Sequence, residues 1–339
     1  MPPHVVTAAL VGTAALAVTL LAGCSSGPPP AHTADTSAPL RTGSSVTPYV
    51  DVSASNPPIT AMSDAGAGND VALSFGLATN GACTPSWGGE RAVDDPTLVA
   101  QLTTLRDRGG KLTVATGGAS GEYLENVCAT ADELADAYGR LLDATGATQL
   151  DVDVEADVPT ERVADALHTV QTRRGTAVSL TLQVAGAEEG LDERALDVAR
   201  TVAAAGVRFS VNPLVMNFPP SGTWSSSMSD AVDAVRSQVA TLSPAPGLAV
   251  TIMIGQNDTG PVTTLDDART LAATLPGLGV DDVRFWSLGR DNGGCPGTTK
   301  ARPDCSGVDQ SAFAFTQVFR DAAGAPPATN AATNGRNGS

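Results

Sequence analysis

Eight short runs of β-branched or apolar residues, most of them followed by an amphipathic stretch, constrain this fold more than any other feature. The runs are 46–52, 70–78, 111–116, 149–155, 176–184, 208–216, 248–255 and 282–288. Helical patterns occupy 96–108, 130–145, 160–173, 191–205, 226–242, 264–274 and 309–322. In 130–145, for example, Leu134, Ala137, Tyr138, Leu141 and Leu142 recur at helical spacing. Between the first two runs the chain is short and loop-like, with no clear helix. Strands alternating with helices imply a parallel sheet joined by right-handed crossovers. Eight such units predict a closed (β/α)8 TIM barrel of the α/β class, and the roughly 280 residues involved match its usual size. A doubly wound open sheet is the competing topology, but no G-x-G-x-x-G follows the first run.

The ends of the chain have a different character. Residues 5–22 are apolar or small and uncharged, and Leu21-Ala22-Gly23-Cys24 is followed by Ser, Gly and Pro. This pattern resembles the signal peptide and lipobox of a bacterial lipoprotein. The resemblance implies cleavage before Cys24, lipidation of that residue, and a membrane-anchored exported protein on the extracytoplasmic face. It departs from the pattern in having no Lys or Arg before the apolar run. A membrane-spanning anchor is the alternative, but the Ala, Gly and Thr content makes the run only weakly apolar. The expected organisation is a signal peptide at 1–23, a flexible linker at 24–45, the barrel at 46–324 and a disordered tail at 325–339.

Thirty-six acidic against 20 basic residues give a net charge of −16, with no basic stripe. Nucleic acid is therefore not an expected partner. Cys83, Cys128, Cys295 and Cys305 are an even set in an exported chain, so disulfides are permitted. Cys295 and Cys305 enclose a Gly/Pro-rich loop and are paired; Cys83 and Cys128 follow consecutive strands and are paired too. His168 is the only histidine in the barrel region and no cysteines have close ligand spacing, so neither a metal nor a cofactor is expected. A monomer is expected.

Function in a parallel barrel sits at the C-terminal ends of its strands. Polar and aromatic residues gather there. Thr116-Gly117-Gly118 closes the third run, and Asp153 and Glu155 the fourth. Met216-Asn217-Phe218 closes the sixth, Gln256-Asn257-Asp258 the seventh, and Trp286 with Arg290-Asp291 the eighth. On the fourth strand Asp151, Asp153 and Glu155 lie two apart and share a face, about 6.6 Å between neighbours along the chain. Val152 and Val154 pack on the other face. Like charges this close cannot all ionise cheaply, so one carboxyl should hold its proton near neutral pH, as a general acid requires. Glu155, longest and nearest the mouth, is the natural donor. Calcium ligation is the competing reading, but calcium loops need Gly and turn residues rather than alternating Val.

At this point the residues resemble glycoside hydrolase family 18, the chitinase family. Leu150–Glu155 (LDVDVE) resembles its strand-four signature, and Thr116-Gly117-Gly118 the glycine pair closing strand three. The segments 81–89, 211–218, 253–258 and 285–295 resemble, in order, further strand-end segments of a bacterial chitinase-like subgroup. The resemblance implies substrate-assisted, retaining hydrolysis of β-1,4 linkages to N-acetylglucosamine. In that scheme Glu155 is acid and base, Asp153 holds the acetamido N–H, and Asp151 sits behind it. Trp286 forms the apolar floor, and Met216, Asn217, Phe218, Gln256, Gly117 and Gly118 complete the substrate site. The chain departs from the family at Thr148-Gln149, at Ala115 where Ser is expected, and at Asn217-Phe218 in place of Asp-Tyr. A Phe cannot supply the hydroxyl that steadies the acetamido oxygen; losing one such donor costs on the order of 3 kcal/mol, about a hundredfold in rate.

Three readings follow. The first is a surface-anchored chitinase-type hydrolase. The second is a non-catalytic protein that binds N-acetylglucosamine oligosaccharides with a degenerate site. The third is hydrolysis of a related N-acetylated glycan. Aromatic residues make up only 4% of the chain, which favours short soluble oligosaccharides over crystalline chitin because few stacking positions are available.

Overall fold

The computed structural model describes residues 45–324. The expected signal peptide, lipidation site Cys24, nearly all of the linker and the tail lie outside these residues. All eight expected strands form within two or three residues of their expected bounds. They are Ser45–Val46 with Tyr49–Asp51, then Val71–Thr79, Leu112–Gly117, Gln149–Val154, Ala177–Gly186, Phe209–Val215, Gly247–Met253 and Asp282–Trp286. They are referred to here as barrel strands one to eight. Each of strands two to eight runs parallel to its sequence neighbours, apart from local irregularities.

Strand one closes the sheet, and it does so in two halves. Ser45 and Val46 align with Asp282 and Val283 of strand eight. Tyr49, Val50 and Asp51 align with Ala72, Leu73 and Ser74 of strand two. The break falls at Thr47-Pro48, where proline has no N–H to contribute to a ladder. The result is a TIM barrel, as the alternating pattern predicts.

The barrel wall sorts side chains by polarity. On strand four Leu150, Val152 and Val154 face the helices and are fully buried there. Strands three, five, six, seven and eight add Val114, Leu180, Leu182, Val211, Val215, Val250, Ile252, Val283 and Phe285 to the same shell. Against it pack helices such as Ala131–Thr145, whose buried face includes Leu134, Ala137, Tyr138, Leu141 and Leu142. That helix starts at a capping box, Thr130 with Glu133, which satisfies two of its unpaired N–H groups. Inside the barrel the side chains are mostly polar: Asp151, Asp153, Ser179, Thr181, Asn212, Thr251 and Arg284 are all buried.

Several elements differ from the sequence expectation. A four-residue helix, Ala61–Asp64, occupies the segment read as loop. An additional strand, Ala82–Trp87, folds back antiparallel on strand two. Its turn is Asn80-Gly81, both at positive φ, the combination a tight hairpin favours. The helix expected at 264–274 continues as Leu265–Leu278 through Pro276 and stops at left-handed Gly279. The last helix begins only at Ala314. Its first N–H groups are capped from a distance by Asp291, which accepts from Phe315 and Thr316 at 3.0 and 2.9 Å. Both expected disulfides are formed: Cys83–Cys128 ties the hairpin to the end of helix Leu124–Val127, and Cys295–Cys305 closes a surface loop.

Glu125, in the short helix Leu124–Val127, is fully buried behind strand three. Its Oε1 accepts from Thr116 Oγ1 at 2.6 Å and from Tyr138 Oη at 2.8 Å, whereas its Oε2 has no partner. Burial raises its proton affinity above the ordinary glutamate value. The folded chain therefore holds a proton that the unfolded chain releases above about pH 4.3. The stability this proton contributes is present at acid pH and declines as the pH rises through the raised folded value. Glu125→Gln, which cannot ionise, should gain stability relative to the wild type as the pH rises above the ordinary glutamate value of about 4.3 in urea unfolding. Parallel pH profiles for the two proteins would rule this out.

Candidate active site

The site is built outward from Asp151, which points into the barrel and has no solvent exposure. Its carboxylate accepts from Tyr49 Oη at 2.8 Å, from Thr181 Oγ1 at 2.8 and 2.9 Å, and from Ser179 Oγ. Arg284 Nη1 lies 2.9 Å from Oδ1 as an ion pair, although its N–H does not point along a hydrogen bond. The guanidinium is fixed from its other side by Asp282 at 2.7 Å. Register places these partners. Asp151 lies opposite Ser179, and Asp153 opposite Thr181. Thr181 lies opposite Asn212, whose Nδ2 donates to Thr181 Oγ1 at 2.7 Å. Thr251 donates to Asn212 Oδ1 at 2.9 Å, carrying the network up to the cleft.

Asp153 is the next residue up on the same face and is also buried. Its Oδ1 has no hydrogen-bond partner. Burial, followed by the charges of Glu155 and Asp151, raises its proton affinity well above the aspartate range, with Arg284 opposing. Glu155 follows the strand and is only partly buried. Its proton affinity is raised by burial and by the charge of Asp258, against the effect of Arg194. Asp153 and Glu155 therefore form an acidic pair able to retain a proton that a lone exposed carboxyl would lose.

The strand-three glycines hold this pair in place. Gly117 sits at φ 82° opposite Asp153, and a Cβ there would come within 2.0 Å of the Asp153 carbonyl oxygen. Gly118 at φ 91° donates its N–H to that same oxygen at 3.0 Å, and a Cβ there would strike the Phe75 ring. The Tyr123 hydroxyl donates to the Gly118 carbonyl and accepts the Glu155 N–H at 3.2 Å, joining the two strand ends. An aromatic group floors the cleft. Phe75 and Trp286 stack at 5.7 Å and 18°, and Tyr49 lies 6.1 and 6.3 Å from them. Ala115 packs beside Tyr49 and Ala72 in this floor.

The cleft above is about 240 Å³ and is lined by Asp153, Glu155, Met216, Asn217, Asp258 and Trp286, among others. Of the residues expected from sequence, Asp153, Glu155, Met216, Asn217 and Trp286 thus meet in one cavity, with Asp151 beneath and Gly117 and Gly118 at the side. Two do not line it. Phe218 is buried against Trp224 at 4.9 Å, because left-handed Asn217 turns the chain away from the cleft. Gln256 sits in a small antiparallel pair with Val262–Thr263, and its amide donates to the Asn257 carbonyl at 3.1 Å. Arg290 and Asp291 are also structural. Buried Arg290 donates to the carbonyls of Ile254, Gln256 and Arg302 at 2.8, 2.6 and 2.6 Å, and Asp291 caps the last helix.

Sequence reasoning missed Tyr49, Phe75, Tyr123 and Arg284 as members of the site, and placed Asp258 at the strand-seven end without assigning it to substrate. Tyr49 and Arg284 lie mid-strand, where only the closed register reveals that they face Asp151. Phe75 lies two residues from Leu73, a spacing that assigns it to the outer shell, but the register shift between Leu73 and Gly76 turns it into the cleft floor.

Comparison with known proteins bears on the fold that carries this site. No protein-family model matches the chain. An Escherichia coli protein named "Probable bifunctional chitinase/lysozyme" is 25% identical over 80% of this chain. Endochitinase 11 of Metarhizium anisopliae is 24% identical over 72% of it. The match spans 34% and 52% of the lengths of those two proteins, about a third and a half. Among solved structures, active domain 2 of the thermostable Pyrococcus furiosus chitinase, complexed with chito-oligosaccharides, superposes with a TM-score of 0.76. It is 29% identical, with 85% of this chain and 96% of that domain covered. The fold is therefore that of the family 18 chitinase domains.

The position of Phe218 alters what its hydroxyl-bearing counterpart should do. Phe218→Tyr should leave any turnover of chito-oligosaccharides unchanged and should destabilise the fold by about 1–3 kcal/mol, because the new hydroxyl enters apolar packing without a partner. Steady-state kinetics and thermal unfolding test this together; a rate gain of about tenfold would return residue 218 to the site.

Proposed function

We propose that this chain is a glycoside hydrolase of family 18 that cleaves β-1,4 linkages next to N-acetylglucosamine. The observation that carries this reading is the buried Asp153. Its partnerless Oδ1 shares with Glu155 a cleft floored by Trp286 and Phe75, and burial raises the proton affinity of both acids. An unsatisfied buried acceptor calls for a donor, and the N–H of a 2-acetamido group is a donor of the right size. Glu155 donates its proton to the glycosidic oxygen as the bond breaks. The acetamido oxygen of the same sugar attacks the anomeric carbon, giving a cyclic oxazolinium whose N–H is held by Asp153. Glu155, now a carboxylate, takes a proton from water as that water opens the ring, with overall retention. Asp151, held by Tyr49, Thr181, Ser179 and Arg284, anchors the strand beneath Asp153.

Non-catalytic binding of the same oligosaccharides is the second reading. It is favoured by the lack of a hydroxyl donor at the strand-six end of the cleft, where Met216 and Asn217 stand and the Asn217 amide is bonded to the strand-seven loop. We further propose export and lipid anchoring through Cys24, and a monomeric state. The two disulfides support an oxidising compartment.

The full chain carrying Cys24→Ser should release labelled product from chito-oligosaccharides, and adding Glu155→Gln should lower kcat by about 10²–10⁴-fold. Binding without turnover, unaffected by Glu155→Gln, would establish the second reading instead. In a bacterial host, metabolic labelling with a fatty acid should mark the wild-type chain and not the Cys24→Ser chain; equal labelling would remove the anchor.

A further inference from the structure

The sequence places Asn217 among the groups that could donate to substrate, but its amide is already occupied. Its Nδ2 donates to Asp258 Oδ2 at 3.1 Å. Its Oδ1 accepts the N–H groups of Asp258 and Thr259 at 2.9 and 3.4 Å. Its carbonyl accepts from Thr259 Oγ1 at 2.8 Å, and its own N–H donates to Asn257 Oδ1 at 3.1 Å. Asn257 is itself buried and anchored to the carbonyls of Met253 and Gly255, each at 3.2 Å. The end of strand six and the loop after strand seven are thus one hydrogen-bonded unit, and Asn217 and Asp258 of that unit both line the cleft that holds Glu155.

We propose that Asn217 is a positioning residue that presents the Asp258 carboxylate to Glu155 across the cleft, making Asp258 the second acidic partner of the proton donor alongside Asp153. The chemistry of the clamp explains the residue type. An amide both donates to the carboxylate and accepts from the Asp258 N–H. A carboxylate at 217 would repel Asp258 and could not donate to it. The groups facing Glu155 are Asp153 from its own strand, Asp258 from the strand-seven loop and Arg194 from helix Glu193–Ala204. The Tyr123 hydroxyl contacts its backbone N–H. Arg194 is shared with Asp157 and Asp192 at 3.6 and 3.7 Å, so its attraction for Glu155 is divided and the acidic partners prevail. The charge of Asp258 is the leading charge effect favouring the protonated form of Glu155.

The proposal rests on the hydrolase reading for its kinetic consequence only. The titration of Glu155 is followed by 13C NMR of the glutamate carboxyl carbons, with Glu155→Gln identifying the resonance. Asp258→Asn should lower the Glu155 midpoint by about one pH unit. Asn217→Ala, which frees Asp258, should lower it by a smaller amount in the same direction. If the chain turns over chito-oligosaccharides, the alkaline limb of kcat/KM should move to lower pH by the same steps. An unmoved midpoint in folded Asp258→Asn overturns the proposal. A shift in Asp258→Asn with none in Asn217→Ala overturns the positioning role. Absence of turnover in the wild type defeats the hydrolase reading, while the NMR titration still decides this one.

Discussion

A carboxylate at the centre of a barrel, with no access to water, is the constraint on which the rest of this structure depends. Asp151 could not be held there unpaired: an isolated buried charge would cost several kcal/mol even after relaxation. The barrel interior is organised around satisfying it. Strand one supplies Tyr49, strand five Ser179 and Thr181, and strand eight Arg284. Asn212 and Thr251 from strands six and seven complete the chain of hydrogen bonds. Most strands therefore contribute a polar residue at one level, where many barrels place branched apolar ones. Removing a single member would leave a buried group without its partner, which is more damaging than never having had the pair.

This polar centre is possible because the apolar work is done elsewhere. The outward faces of the strands and the inner faces of the helices form a continuous shell from which the polar interior is excluded. Alternation along each strand separates the two environments by a single residue step. On strand four the separation is complete: three aliphatic side chains outward, two acids inward and Glu155 beyond the end. The fold can consequently vary its interior chemistry without unpacking its shell.

Much of this was legible in the sequence, and the gaps have physical causes. Strands and helices declared themselves through period, and the acids on strand four through spacing, because both signals are local. The Asn80-Gly81 turn was equally local, and the hairpin it makes could have been read from it. What could not be read locally was register. Tyr49 and Asp151 are 102 positions apart, and Asn212 and Tyr49 163 apart, so only the closed sheet identifies them as neighbours. Polar residues at strand ends were also over-read. Gln256, Arg290 and Asp291 look like site residues by position but satisfy carbonyls, a loop and a helix terminus, because a barrel rim has many such groups to satisfy. Phe218 was misplaced because a left-handed residue just before it redirects the chain, and asparagine is one of the few residues that adopts that conformation readily.

The split first strand bears on how the molecule is assembled. Ser45 and Thr47 bond to Asp282, 237 and 235 positions away, so the seam joins the earliest-synthesised strand to the last. Contacts of such separation form late, after the intervening chain has been ordered. Tyr49 is carried on the same strand. The phenol that bonds to the central carboxylate is therefore carried on the strand that joins strand eight to strand two. One strand thus both closes the wall and completes the centre, so whatever loosens the seam also loosens the hold on Asp151.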